Sequence, residues 1–114
     1  MLFRSDIAKE LGNKDWQSKA YGNLSVTYQC LGNFKQALEY NKLNLSITKK
    51  IGNKDGEGKA YGNLGCAYYN LGNFQQAEQC WKQQISIAKE LGDRDGEWRG
   101  LLNLGTFFFS TGGF

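Results

Sequence analysis

Residues 52–91 read GNKDGEGKAYGNLGCAYYNLGNFQQAEQCWKQQISIAKEL, and residues 12–51 read GNKDWQSKAYGNLSVTYQCLGNFKQALEYNKLNLSITKKI. The two segments align without a gap, and 21 of their 40 positions are identical. The similarity continues outward, because residues 7–11 repeat residues 87–91 as IAKEL. Self-similarity at a fixed period of this length is the signature of a repeat protein.

Apolar residues within each copy are spaced as on α-helices, following the i, i+3, i+4, i+7 pattern of one helix face. In the second copy the first stripe is Ala60, Tyr61, Leu64, Tyr68 and Leu71, and the second is Phe74, Ala77, Trp81, Ile85, Ala88 and Leu91. Each copy is therefore predicted to be a helical hairpin, with helix A followed by helix B.

A glycine-containing turn is predicted between the two helices of each hairpin. In the second copy Gly72 is suited to ending helix A. Asn73 is then a natural N-cap for helix B, with Gln76 as its capping-box partner. Asn33 and Gln36 repeat this arrangement in the first copy.

A second kind of segment, GNKD or GDRD, joins helix B to the helix A that follows it. Its recurring aspartates are expected to begin the next helix: Asp15, Asp55 and Asp95. Proline is absent from the chain, which is consistent with long uninterrupted helices.

A lone hairpin of this kind cannot bury both apolar stripes, whereas stacked hairpins cover one another. We therefore predict an all-α fold, an α-solenoid of stacked antiparallel helix hairpins, and a fragment of a longer array with further repeats. The predicted boundaries are 1–11 for helix B of a preceding repeat, 12–51 for unit 1, 52–91 for unit 2, and 92–114 for helix A of a partial unit 3.

Composition excludes several classes of function. The 114 residues contain no histidine, which removes the common Ser-His-Asp and Cys-His catalytic sites and histidine-containing zinc sites. No phosphate-binding GxxxxGK[ST] motif is present. The net charge of +3 is spread along the chain rather than collected in a basic patch, which argues against nucleic-acid binding. The prediction is a protein without enzymatic activity, cofactor or bound metal.

The three cysteines are odd in number and show no CxxC spacing. Cys30, Cys66 and Cys80 are interpreted as small buried hydrophobic residues in a reducing compartment. No stretch approaches the roughly 20 apolar residues of a membrane-spanning helix. The first residues, MLFRSDIAKE, lack the apolar core of a signal peptide, so the expected location is the cytoplasm.

The hairpin resembles the tetratricopeptide repeat, over essentially the whole chain. In unit 2 the signature positions are Tyr61, Leu64, Gly65, Tyr68, Ala77 and Trp81. Unit 1 departs from them at Ser25 and Asn41, and the period of 40 exceeds the usual thirty-four. The longer form, with its GNKDGE start, AYGNLG core and SIAKELG end, looks like the Pins/LGN-type G-protein-signalling modulators and other large animal arrays. The short Gα-binding motifs of those modulators are absent from this chain.

One face of each helix A is left free of the packing stripe. At about 100° per residue, Lys59 and Asn63 point away from Tyr61 and Leu64. The same two positions recur in every copy as Lys19 and Asn23, Lys59 and Asn63, and Arg99 and Asn103. In a stacked array these residues form a ladder along the concave wall.

The ladder suits an extended peptide, since a carboxamide both donates to and accepts from a peptide backbone. The cations favour acidic residues or a C-terminal carboxylate. The resemblance to the modulators implies that Asn23, Asn63 and Asn103 hold the partner's backbone. Gln29 and Tyr69, with Phe109 in the third copy, lie beside the stripe and are predicted to supply side-chain pockets. The alternative is that Asn63 bonds to an adjacent helix and Lys59 is a solvated charge.

The array also resembles the chaperone-type repeats that clamp a C-terminal carboxylate, but Gly22 and Val26 replace two residues of that clamp. The predicted function is a protein–protein interaction scaffold that binds an extended segment of a partner, as an adaptor in G-protein signalling or spindle orientation. The alternative is a sensor or spacer array attached to an NTPase or other effector module outside this chain. Either way the expected partner is a protein, with no nucleic acid and no membrane span.

Overall fold

The computed structural model describes the backbone of residues 4–111 and side-chain burial for residues 12–106. Within that range the chain forms five α-helices and no strand: α1 (Arg4–Cys30), α2 (Phe34–Lys50), α3 (Lys54–Asn70), α4 (Phe74–Leu91) and α5 (Arg94–Thr111). Each helix packs against the next in sequence, while α3 also touches α1 and α5. Helices A, which are α1, α3 and α5, therefore lie side by side, and the predicted all-α solenoid is confirmed.

Every turn between these helices is built on a glycine with positive φ. Gly32, Gly52, Gly72 and Gly92 have φ angles of 78°, 70°, 81° and 69°. Around Gly72, the Asn73 N–H donates to the carbonyl of Tyr68 at 2.8 Å and the Gly72 N–H donates to that of Tyr69 at 3.0 Å. This pair of bonds is the Schellman motif, which satisfies carbonyls that the end of a helix would leave without partners.

The N-cap residues lie where the turns predict them, but their side chains behave differently at the two kinds of turn. Asn53 and Asp93 accept hydrogen bonds from the backbone N–H groups of Gly56 and Gly96, at 3.0 and 3.1 Å. Asn33 and Asn73 make no side-chain cap bond, so the predicted capping boxes with Gln36 and Gln76 are wrong.

The residue at the third position of each helix explains this difference. A Cβ added at Gly56 would stand 2.6 Å from the Asn53 side-chain nitrogen, so glycine gives the cap room in the position that it takes here. In α4 that position is Gln76, which has a Cβ. The caps of α3 and α5 are Asn53 and Asp93, and Asp55 and Asp95 lie in the first turns of these helices, as predicted.

One predicted turn does not form. The GNKD segment at residues 12–15 was expected to separate two helices, but α1 runs through it without a break. The third position after Asn13 is Trp16, so the glycine that permits the side-chain cap is missing. The predicted boundary between the preceding repeat and unit 1, at residues 11 and 12, lies within α1 and stays a prediction.

The predicted helix B stripe of unit 2 is buried at its centre, whereas its two ends are not. Ala77 and Trp81 are almost fully buried against α3, where Ala60 is also buried. Phe74 and Leu91 were assigned to the same stripe as Trp81 but remain 42% and 46% exposed, because they lie in the first and last turns of α4.

One pair of equivalent positions differs between the two units: it is Ser25 and Asn41 in unit 1, and Gly65 and Trp81 in unit 2. In unit 2, Gly65 lies directly beneath the Trp81 indole, and an added Cβ would stand 2.5 Å from its Nε1. In unit 1 the equivalent residues are Ser25 and Asn41, both fully buried. The smaller partner at position 41 leaves room for the serine side chain, whose hydroxyl donates to the Gly22 carbonyl at 2.8 Å.

Replacing a glycine by alanine is expected to have opposite effects on stability inside a helix and in a turn. Gly12→Ala is expected to stabilise the chain by about 0.5–1 kcal/mol, because Gly12 lies inside a helix with open space around it. Gly52→Ala also meets no neighbouring atom, but it forces a side chain into positive φ and should cost about 1 kcal/mol. Urea unfolding of both variants measures the two values. A destabilised Gly12→Ala would show that residue 12 is in a turn.

Gly65→Ala is expected to destabilise the protein by about 1–3 kcal/mol, the usual cost of overpacking a core. Its matched control is Gly105→Ala, the same position one repeat later, where an added Cβ meets nothing within 4 Å. That variant should be neutral or slightly stabilising, and the midpoint of thermal unfolding compares the two. Equal effects at both positions would contradict the close contact with Trp81.

Candidate functional site

The predicted ladder lies along two adjoining cavities on the side of the molecule where helices A meet. Lys19, Asn23, Lys59 and Asn63 contribute to a cavity of about 480 Å³ between α1 and α3. Lys59, Asn63, Arg99 and Asn103 contribute to one of about 370 Å³ between α3 and α5. Because Lys59 and Asn63 line both, the ladder residues share one continuous groove, which we call the helix A groove.

The cations of this groove have acidic neighbours. Lys19 Nζ lies 3.2 Å from a carboxylate oxygen of Asp15, and Lys59 Nζ lies 3.2 Å from one of Asp55. Both pairs join residues one helical turn apart and are largely exposed, so each contributes only roughly 0.3–0.5 kcal/mol. The lysines thus retain their charge for a ligand, but the groove presents paired charges rather than an open row of cations.

Tyr69 does not belong to the groove. Its ring centroid lies 5.5 Å from that of Phe74 and 5.9 Å from that of Trp81, so it packs within its own hairpin. The structure therefore places Tyr69 outside the cavities of the groove, and its predicted role in a side-chain pocket stays a prediction. Its helix position borders the stripe, but the large side chain gains more contact by turning towards α4. Phe109 lies outside the residues whose side chains are described.

Gln29 of α1 is one of the side chains that influence the Cys66 thiol of α3. Burial raises the pKa of Cys66, and hydrogen bonds with Trp81 and Gln29 partly offset that effect. Burial also raises the pKa of Cys80 to about 11. Both groups are thiols at neutral pH, as the sequence interpretation requires. Of the three cysteines that were interpreted as buried, Cys80 is buried, Cys66 is partly buried and Cys30 is exposed, so the interpretation was wrong for Cys30 and only partly right for Cys66.

Two carboxamides from helices B reach the groove and were missed by the sequence analysis. Asn44 of α2 lines the first cavity, and Gln84 of α4 lines the second. They occupy equivalent positions, forty residues apart, and both are buried. A polar residue repeated within the packing face of helix B was the signal that could have identified them.

Glycines in helix A make this approach possible. A Cβ added at Gly22 would lie 3.4 Å from the Asn44 side-chain nitrogen. One added at Gly62 would lie 2.7 Å from that of Gln84, closer than real Cβ contacts allow. The two glycines therefore serve close helix approach, and they let the helix B carboxamides form the floor of the groove.

The resulting surface is rich in groups that can both donate and accept hydrogen bonds. Asn63 and Asn103 are half-buried in the wall, and Gln84 lies beneath them between α3 and α5. Such groups can satisfy backbone N–H and C=O groups in any sequence context. Within the described residues, no group of three or more His, Cys, Asp or Glu could hold a metal ion. In that same part of the chain, no helix is both long and apolar enough to cross a membrane.

Comparison with known proteins identifies the repeat. A search of the curated proteins gives no match to this chain. The family model described as tetratricopeptide repeat matches residues 16–90, which include most of α1 and all of α2 and α3. The match covers more than half of the sequence and coincides with the hairpins built by the glycine turns. The chain therefore belongs to the tetratricopeptide repeat family.

Proposed function

We propose that the helix A groove binds an extended peptide segment of a partner protein. Tetratricopeptide repeats generally mediate protein–protein interactions, so a protein partner follows from the family. The observation that carries the proposal is the asparagine at one position of each repeat, Asn23, Asn63 and Asn103, along two adjoining cavities.

An extended segment is the ligand that such a surface fits. Its backbone N–H and C=O groups are not paired with one another. The hydrogen bonds to water that they lose on binding must therefore be replaced by hydrogen bonds to the protein. Half-buried carboxamides at Asn63 and Asn103 supply both a donor and an acceptor at each step. A folded surface or a helix presents few free backbone groups and would leave these carboxamides without partners.

The charges support a modest preference for acidic segments. Lys59 and Arg99 line the second cavity together, and none of the described Asp or Glu residues lines that cavity. Asp55 competes for Lys59 only weakly, because their ion pair is largely exposed. An acidic ligand residue could therefore take its place, with a contribution that salt reduces.

The G-protein-signalling adaptor is the cellular role that we propose for this binding. Support comes from the start of each long repeat, GNKDGE at 52–57 and GDRDGE at 92–97, and from the SIAKELG end at 86–92. These segments carry the resemblance to the Pins/LGN-type modulators. In the structure they supply the side-chain caps and the left-handed turn that align helices A.

The groove is tested by selecting peptides from a random phage-displayed library of 12-residue sequences on the 114-residue chain. Fluorescence anisotropy then measures the Kd of a selected peptide for variants. Asn63→Ala is expected to raise Kd about five- to tenfold, the loss of a hydrogen-bonding carboxamide at a half-buried position. Lys59→Ala should raise Kd less than about threefold at physiological salt.

The control is Gln79→Ala, which removes an exposed carboxamide beside Leu64 and Tyr68, away from the helix A groove. It should leave Kd unchanged. Circular dichroism checks that each variant keeps its helices. The proposal fails if no peptide binds, or if selected peptides bind Asn63→Ala as tightly as the unaltered protein.

A further inference from the structure

The helix A groove presents three rows of side chains that repeat from one helix A to the next. A cation comes first, an asparagine follows one turn later, and a small residue follows about one turn after that. In units 1 and 2 the residues that form these rows and line the groove are Lys19, Asn23 and Val26, and Lys59, Asn63 and Cys66. Since one turn of helix advances about 5.4 Å, the cation row and the small-residue row lie on opposite sides of the asparagine row.

The first two rows are accessible to a ligand. The side chains of Lys19 and Lys59 are 70% and 71% exposed, Asn23 is exposed, and Asn63 is half-buried. In unit 3 Arg99 is exposed and continues the cation row along the same groove. A ligand carboxylate can therefore reach each cation without any change in the packing of the helices.

The distance between helices A determines how many ligand residues each repeat spans. Cα atoms of α1 and α3 approach within 8 Å of one another, as do those of α3 and α5. The axes of helices that pack together lie about 8–10 Å apart. Three residues span about 9 Å in a polyproline II helix and about 10 Å in a β-strand. An extended ligand that runs along the groove therefore advances by three residues from one helix A to the next.

The rows favour polyproline II over a β-strand. Successive side chains of a β-strand point to opposite faces, so residues three apart would face the cation row only alternately. A polyproline II helix has three residues per turn, so residues three apart point in the same direction. One side chain of each triplet then faces the cation row, a second faces the small-residue row, and the third points to solvent. Because this helix has no internal hydrogen bonds, its backbone groups stay available to the asparagine row.

We propose that the helix A groove selects a segment in polyproline II conformation that carries an acidic residue at every third position. The carboxylates at ligand positions i, i+3 and i+6 then lie at Lys19, Lys59 and Arg99. The residue that faces Val26 and Cys66 is small or apolar, because valine and the cysteine thiol present an apolar surface. This inference rests on the proposed function and adds the conformation and the spacing of the ligand.

The test identifies which ligand residue each cation contacts. The probe is the selected 12-residue peptide whose binding Asn63→Ala weakens. Each of its Asp or Glu residues is replaced in turn by Asn or Gln, and Kd is measured at about 10 mM salt, where charges are weakly screened. One replacement should raise Kd about two- to fivefold for the unaltered protein but leave it unchanged for Lys59→Ala. The replacement that couples in this way to Arg99→Ala should lie three residues from it.

The matched control is Lys82→Ala in α4. Lys82 is exposed and paired with Glu78 at 3.1 Å, much as Lys59 is paired with Asp55, but it does not line the groove. This variant should show no coupling to any ligand residue. Equal coupling of Lys82 and Lys59 would mean that only the overall positive charge attracts the ligand, and it would overturn the inference.

Proline replacements along the same peptide test its conformation, since proline fixes φ near the polyproline II value. The positions that accept proline with Kd unchanged or lower should recur every three residues, where the side chains point to solvent. Proline at the other positions should raise Kd, because it removes a side chain that faces one of the rows. A ligand bound as a β-strand would instead accept replacements at every second position.

Three results overturn the inference while the proposed function stands. They are couplings of Lys59 and Arg99 to acidic residues that are not three apart, tolerated prolines at every second position, and a bound peptide without acidic residues. If no selected peptide responds to Asn63→Ala, the proposed function itself fails and this inference fails with it.

Discussion

At Gly32, Gly52, Gly72 and Gly92 the backbone takes a positive φ, and the next residue is already the N-cap of another helix. The same Schellman bonds therefore end one helix and place the start of the next, at intervals of 20 residues. Because the connection has no slack, successive helices run antiparallel, and the three helices that lie between two of these glycine turns have 17 or 18 residues. That regularity brings every second helix to the same side, where the asparagine ladder becomes a groove.

Much of this architecture could be predicted from the sequence because it depends on local chemistry that repeats. The forty-residue period, the helical stripes and the glycine turns all follow from residue type and spacing. The exceptions have local causes as well, but ones that need three-dimensional contacts to see. Asn53 caps its helix with its side chain where Gly56 leaves space above the first turn. Trp16 occupies the position equivalent to Gly56. There α1 continues without a break through residues 12–15, although their sequence, GNKD, is the same as that of the turn at residues 52–55.

The groove was less predictable than the fold. Helical geometry correctly indicated which residues of helix A share a face, so Asn63 and Lys59 lie where expected. It could not indicate how far a side chain turns towards its neighbours, which is why Tyr69 packs on Trp81 instead. Nor could it show that a residue of helix B passes beneath a glycine and reaches the opposite surface. That arrangement depends on the distance between two helices, and no single helix encodes it.

The two complete units use the same backbone for different interiors. Unit 1 fills its centre with Ser25 and Asn41 and pairs Asn44 with Ser18, and both side-chain polar atoms of Asn41 are buried without a hydrogen-bond partner among the described residues. Unit 2 fills the first two of these positions with Gly65 and Trp81, so its centre is apolar. In a linear array each unit contributes its own stability. A buried polar group without a partner lowers the stability of its own unit, whereas a buried indole raises it. Unit 2 is therefore expected to contribute more to the stability of the array than unit 1.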